Sequence, residues 1–367
     1  MIFIADWDKN RKKTWSGTTY SLYQALSSLS RVTSISSPSF SYLQKLKFYI
    51  NSLLRGQASN NMNFNYFFLE SKNFEIKRTI NDFPRSDGQN ILQIGDLAKL
   101  HESGIYQDLS ISFILYCRDK DPEAFKYSGF QDISLKELYA RNEVQMKRYS
   151  DARFIFTMSM FLRDFLVDNV GIDKKKVVYA GGGINIKNVD SINPIRKNRK
   201  RILFVGRDFI RKGGDLVVAA FKILKNKFIS DAELYIIGPQ KIDKKYLGDG
   251  INILGDLDSN KVEYYYNLCD IFCMPSRFEA FGLVFIEALT RGLPCIGRNK
   301  FEMSNIIEPD QTGYLVDNDN VTELASKMFN LLNNDKIYSN VKLNKAYYTQ
   351  KYSWDSVARN ILEAFNK

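Results

Sequence analysis

No run of apolar residues in this sequence approaches the roughly 20 that a membrane-spanning helix needs, which excludes a span. The opening MIFIADWD meets Asp6 too early for a signal peptide, so a cytoplasmic protein is expected. The four cysteines (Cys117, Cys269, Cys273, Cys295) lie on or beside apolar, strand-like runs, and none forms a CxxC pair. That indicates neither a disulfide framework nor a zinc site and predicts buried, reduced thiols. Histidine is nearly absent, with His101 alone. The full G-x-G-x-x-G is missing after the first strand, so there is no dinucleotide fingerprint. Neither an internal repeat of solenoid period nor a low-complexity tract is present. Asp-x-Asp occurs four times (Asp6/Asp8, Asp119/Asp121, Asp256/Asp258, Asp317/Asp319), too close to chance to mark a hard-cation site.

What the sequence does contain fits a two-domain globular chain. Its 367 residues suffice for two cores, and 44% hydrophobic with 25% charged residues is ordinary. Aromatic residues are abundant, with 26 Phe and 21 Tyr. The net charge of +11 is concentrated in two places. Residues 1–60 hold eight Lys/Arg against Asp6 and Asp8, and residues 187–212 hold nine against Asp190 and Asp208. Two basic patches point to anionic partners: phosphates, an anionic membrane surface or nucleic acid.

Taken in order, residues 1–8 read as a strand, followed by the loop KNRKKTWSGTT and an amphipathic helix over 20–29. Strand, Gly-containing loop and helix is how a Rossmann-like unit begins, although Gly17 alone is also what a plain turn would use. Residues 43–55 place Leu43, Leu46, Ile50, Leu53 and Leu54 at helical spacing beside Lys45, Lys47 and Arg55. This reads either as a surface helix packed on a core or as an interfacial helix on anionic lipid. Strands are predicted over 64–69, 90–94, 111–117, 153–157 and 176–180, with a helix over 133–149. Strands alternating with helices predict a parallel, doubly wound sheet. Residues 181–200 lose periodicity and are rich in Gly, Asn and Lys/Arg, so the domain boundary is placed there. A second alternating unit follows: strand 201–206, helix 214–226, strand 232–238, the segment INILGDLD (251–258), helix 302–308, strand 313–316, and helices over 320–333, 336–351 and 353–366.

Residues 275–297, PSRFEAFGLVFIEALTRGLPCIG, are the most informative stretch. A short strand over 271–274 precedes it. A helix starting near Phe281 or Gly282 and stopping at Gly292-Leu293-Pro294 is apolar almost all round, hence buried. Glu279 precedes this helix and Glu287 lies within it. Glu279 could offset the helix dipole and Glu287 could pair with Arg291 one turn on. Alternatively, the amides of residues 281–283 form an anion site and Glu287 accepts hydroxyl donors from a sugar, with Glu279 reaching the same pocket.

The pattern E-A-F-G-L-V-x-x-E-A-L-x-x-G-x-P resembles the Glu-x7-Glu signature of retaining glycosyltransferases of family 4. The resemblance covers nearly the whole chain, strongly over 201–317 and more loosely before 150. It implies the GT-B fold, with two Rossmann-like doubly wound domains facing a central cleft. The division expected is 1–185 as the acceptor domain, 186–200 as linker and 201–352 as the nucleotide-sugar donor domain, with helix 353–367 packing back on the first. Gly206-Arg207-x4-Lys212-Gly213 matches the family's diphosphate-binding loop. In that reading Arg207 and Lys212 bind the diphosphate and stabilise the leaving group, helped by the amides of Phe281, Gly282 and Leu283. Glu287 holds the ribose, Glu279 contacts the donor sugar, Leu257 lies at the base, and Gly17 faces the donor phosphates and the acceptor.

Relatives place a histidine after a first-domain strand, where this sequence has Cys117, Arg118 and Asp119 if that strand ends LYCRD. His101, Asp108 and Arg118 are the candidates on that side. The family needs no metal and no cofactor beyond a nucleotide diphosphate sugar, with UDP favoured, and transfers with retention by front-face attack. The implied function is sugar transfer to a glycan or lipid-linked acceptor, in surface polysaccharide or glycoconjugate synthesis, at the inner face of the membrane. A sugar-nucleotide-binding protein or an epimerase of the same fold is the alternative. Nucleic-acid binding is suggested by charge alone, without an RNP-like, helix-turn-helix or zinc pattern.

Overall fold

The computed structural model describes residues 1–54, 61–83, 89–185 and 198–367. Residues 186–197 of the expected linker, with Lys187, Arg196 and Lys197, lie outside the described residues, as does Arg55. The chain divides into two units, residues 1–183 with 354–367, and residues 184–353.

The first unit runs β1 (Ile2–Ala5), α1 (Thr18–Leu29), β2 (Thr33–Ser36), α2 (Tyr42–Leu54), α3 (Tyr66–Asp82), β3 (Ile91–Ile94), β4 (Ser103–Gln107), α4 (Ile111–Lys120), α5 (Pro122–Lys126), α6 (Leu135–Asp151), β5 (Phe154–Thr157), α7 (Met160–Asp168) and β6 (Val177–Tyr179). Its six strands pair in the order β2-β1-β3-β4-β5-β6, and every pairing is parallel. All four residues of β1 are buried, as expected for a strand covered by helices on both faces.

The second unit runs β7 (Arg201–Val205), α8 (Gly214–Lys227), β8 (Glu233–Ile237), β9 (Ile251–Gly255), α9 (Ser259–Leu268), β10 (Ile271–Met274), α10 (Leu283–Thr290), β11 (Cys295–Arg298), α11 (Met303–Ile306), β12 (Gly313–Val316), α12 (Val321–Leu332), α13 (Asp335–Leu343) and α14 (Lys345–Lys351). Its strands are also all parallel, in the order β12-β11-β10-β7-β8-β9. The last helix, α15 (Trp354–Phe365), belongs to the first unit and packs on α1. Phe365 closes on Phe154 and Phe156 with ring centroids 5.7 and 5.4 Å apart.

Two predicted strands are helices. Residues 64–69 become a short 3-10 turn followed by α3, because the Asn65 side chain accepts from the Phe68 amide and starts a helix that buries Leu69, Lys72, Ile76 and Ile80 at helical spacing. Residues 111–117 become α4, capped by the Ser110 side chain on the Phe113 amide. A short apolar run has no period that separates a strand from a buried helix, and the cap decides. The strands β2 and β4 and the helix α9 were not predicted. The predicted helix 336–351 breaks at Asn344, which ends α13 and begins α14.

Candidate functional site

In parallel α/β sheets the loops that follow the strands gather at one edge, where ligands bind. In the second unit that edge carries the loop between β7 and α8, which holds Gly206, Arg207 and Lys212, and the loop between β10 and α10, which holds Glu279. Gly206 lets the first loop fold back on itself: a Cβ there would lie 2.5 Å from Lys212 Cδ. Lys212 Nζ donates to Glu279 Oε2 at 2.7 Å, and the two side chains are only 15% and 13% exposed. Arg207 is exposed and pairs at 3.1 Å with Asp256, beside Leu257 in the loop after β9. Leu257 is half-buried.

Gly282 caps α10 at φ 90°, a left-handed conformation that favours glycine, and an added Cβ would meet the Phe285 ring at 2.8 Å. The helix proper begins at Leu283, one to two residues later than expected, and Phe281 is buried before it. The first amides of α10 precede any intrahelical acceptor, and with the helix dipole they favour an anion.

Glu287 is buried in α10 and accepts from the Tyr266 hydroxyl at 3.1 Å. Burial pushes its carboxyl up from 4.5 to about 7, against the opposing pull of Tyr266, Arg291 and Lys212. The pairing of Glu287 with Arg291 is not the one formed, since the Arg291 guanidinium reaches Glu263 of α9 at 3.2 Å. Tyr266 has no signal in the sequence. It sits among Tyr264 and Tyr265, and only the packing of α9 on β10 and α10 selects it.

The first-unit candidates separate by edge. Gly17 caps α1 at φ 92° in the loop after β1, preceded by Trp15 and Ser16, also left-handed at φ 48° and 56°. Asp108 directly follows β4, so both residues lie at the edge where strands end. His101 precedes β4 and therefore lies at the opposite edge, exposed, with Nε2 3.6 Å from Glu102. The strand thought to end LYCRD is α4, so Cys117, Arg118 and Asp119 do not follow a strand. Arg118 stacks over Phe125 at 5.5 Å and donates to the Ile133 carbonyl. The residue after the true strand is Asp108.

Several of the Asp-x-Asp carboxylates serve the fold. Asp6 pairs with Lys72 at 2.6 Å, Asp256 with Arg207, and Asp319 with Arg277 at 2.8 Å, while Asp121 and Asp258 cap α5 and α9.

Residues 185–353 match the family model for glycosyl transferases group 1. An uncharacterized glycosyltransferase of Methanocaldococcus jannaschii is 21% identical over 76% of this chain and 78% of its own. Other curated relatives are spanned over only about half of their length, 52% and 47% for two of them. Among solved structures, the lipopolysaccharide outer core galactosyltransferase WaaB in its apo form aligns with a TM-score of 0.65 at 13% identity, over 100% of this chain and 98% of that one. The pneumococcal O-GlcNAc transferase GtfA in complex with UDP and GlcNAc aligns with a TM-score of 0.54 at 13% identity, over 80% of this chain and 58% of that one. Over residues 185–353 the chain is thus similar to the glycosyl transferases group 1, and its fold is that of the GT-B glycosyltransferases.

Proposed function

We propose that this chain is a retaining glycosyltransferase that moves a sugar from a nucleotide diphosphate sugar to a glycan or lipid-linked acceptor. The observation that carries the reading is the half-buried Lys212–Glu279 pair at the strand-end edge, beside the start of α10 and a buried Glu287. A departing diphosphate accumulates negative charge. Lys212, Arg207 and the first amides of α10 are the groups in this unit suited to meet it. Glu287 takes hydroxyl donors from the ribose. Glu279, already tied to Lys212, suits contact with the donor sugar better than service as a free nucleophile, in keeping with front-face transfer. A uridine nucleotide is the favoured donor, and the UDP-bound structure of a protein of this fold supports trying it first. Thermal shift and released nucleotide across a panel of nucleotide diphosphate sugars test this. One donor is expected to raise Tm, with Arg207→Ala and Glu287→Ala each weakening it by at least about tenfold. Failure of every donor to bind would overturn the reading.

The acceptor is proposed to be membrane-anchored, as in surface polysaccharide or glycoconjugate synthesis. Among the described residues no helix is long and apolar enough to cross a membrane. On α2, however, Tyr42, Leu43, Leu46, Ile50, Leu53 and Leu54 are exposed, with Leu54 at 81%. Lys45 and Lys47 are exposed beside them and the helix has no acidic residue. A groove of about 430 Å³ between α2 and α3 is lined by Phe40, Phe48, Phe67 and Phe74, with Lys47, Glu70 and Glu75 among them. Cosedimentation with anionic vesicles is expected, weakened by salt and by Lys45→Gln/Lys47→Gln. Vesicle binding unchanged by both would remove this part of the proposal.

A further inference from the structure

Arg277 lies two residues before Glu279, in the loop between β10 and α10, and is 6% exposed. Its guanidinium makes four hydrogen bonds and ion-pairs with two carboxylates. Nε donates to Asp319 at 2.9 Å, Nη1 to the Ile210 carbonyl and to Asp215 at 2.8 Å, and Nη2 to Asp215 at 2.9 Å, with the same Asp319 oxygen 2.8 Å from Nη2. The backbone continues the grip: the Arg277 amide donates to the Arg211 carbonyl at 2.8 Å, and Arg211 Nη1 returns a bond to the Phe278 carbonyl at 2.9 Å. Asp215 is in the first turn of α8 and Asp319 follows β12, where Arg298 at the end of β11 also reaches it. Arg277 thus ties together the loops after β7, β10 and β12. Two guanidiniums facing two carboxylates leave the cluster neutral, so Arg277 has no uncompensated charge to offer a diphosphate.

We infer that Arg277 is a positioning residue for sugar transfer, holding Lys212 and Glu279 in register by gripping the carbonyls of Ile210 and Arg211 immediately before the one and the loop immediately before the other. The inference rests on the donor-site reading above. A lysine cannot replace it, because one ammonium lacks the planar fork that serves both Asp215 and Asp319.

Arg199 provides the control. It is equally buried, pairs with Asp335 at 2.6 Å, stacks over Tyr338 and precedes β7, at the far edge of the same sheet. With the donor found in the screen, Arg277→Lys is expected to lower kcat by about 30- to 100-fold, with donor KM changed far less. Arg199→Lys should lower Tm comparably while leaving kcat within about threefold, since it acts at a distant site. In a Lys212→Ala background, Arg277→Lys should add little. Asp319→Asn, which keeps the shape and weakens one clamp, should lower kcat in the same direction and provides the reading if Arg277→Lys does not fold.

Equal loss of kcat in Arg277→Lys and Arg199→Lys would overturn the inference, as would full multiplication of the Arg277→Lys and Lys212→Ala effects. If Lys212→Ala slows turnover and Arg277→Lys does not, this inference alone fails. If Lys212→Ala leaves turnover intact, the donor-site reading fails and takes this one with it.

Discussion

Lys212→Ala is expected to lower kcat by about 100- to 1,000-fold, the usual consequence of removing one preorganised group from a centre where negative charge develops. It should also destabilise the protein. Lys212 and Glu279 are paired at 2.7 Å with little exposure, and deleting one partner leaves the other charge without its counter-ion in a poorly solvated place. The cost of breaking such a pair is about 3 kcal/mol, on the order of 10 °C in the melting of a unit of this size. These two effects separate in the double variant. Lys212→Ala/Glu279→Ala removes both charges, so much of the lost Tm should return, whereas turnover should stay as low as in the single variant or lower. Turnover recovering together with Tm would mean that Lys212 matters through folding alone. Lys212→Arg should keep the charge and still lose most of the rate, because a guanidinium fork does not fit the site of a single ammonium.

The second large effect concerns Glu287 and pH. Burial raises its carboxyl from 4.5 to about 7, so the folded protein holds this proton more tightly than the unfolded chain. The corresponding stability is fully present below about 4.5 and is lost as the pH rises through about 7. Above that, ionised Glu287 costs on the order of 3 kcal/mol relative to a neutral side chain of the same shape. Glu287→Gln is therefore expected to be more stable than the parent at pH 8 and nearly equal at pH 5, as read by denaturant titration at both values. Donor binding should move the other way. Ribose hydroxyls donate best to a carboxylate, so affinity is expected to rise by roughly tenfold from pH 6 to pH 8. In Glu287→Gln it should be weaker and flat over that range. A Glu287→Gln protein that gains no stability at pH 8 would show that the carboxyl is not held in a desolvated site. A pH-independent donor affinity in the parent would show that the ribose does not engage it.

What could be read from the residues and what could not divides along a physical line. The loop Gly206–Gly213 and the segment 279–294 carry their chemistry in contiguous residues, with glycines where backbone must approach and a buried apolar helix behind them. Their placement at strand ends followed from alternation alone. The edge of the first sheet was read less well, and the misassigned run over 111–117 shows why. ISFILYC is apolar but for Ser112 and has no period to betray its state, and the deciding feature was a single hydrogen bond, from the Phe113 amide to the Ser110 hydroxyl. Once that run is a helix, the strand end moves back to Gln107, Asp108 becomes the residue at the edge, and His101 falls at the other end of β4.

Local sequence was enough for the two basic regions, for the alternation of elements around 201–238 and 271–290, and for the order of the candidate-site residues, because each depends on neighbours within a few positions. The side-chain partners depended on packing across the unit. Glu287 took Tyr266 from 21 residues away and left Arg291 to Glu263, while Arg277 gathered Asp215 and Asp319 from 62 and 42 residues away. Which acceptor a buried donor finds depends on which loops the sheet order brings side by side, and strand order is set by the packing of the whole unit.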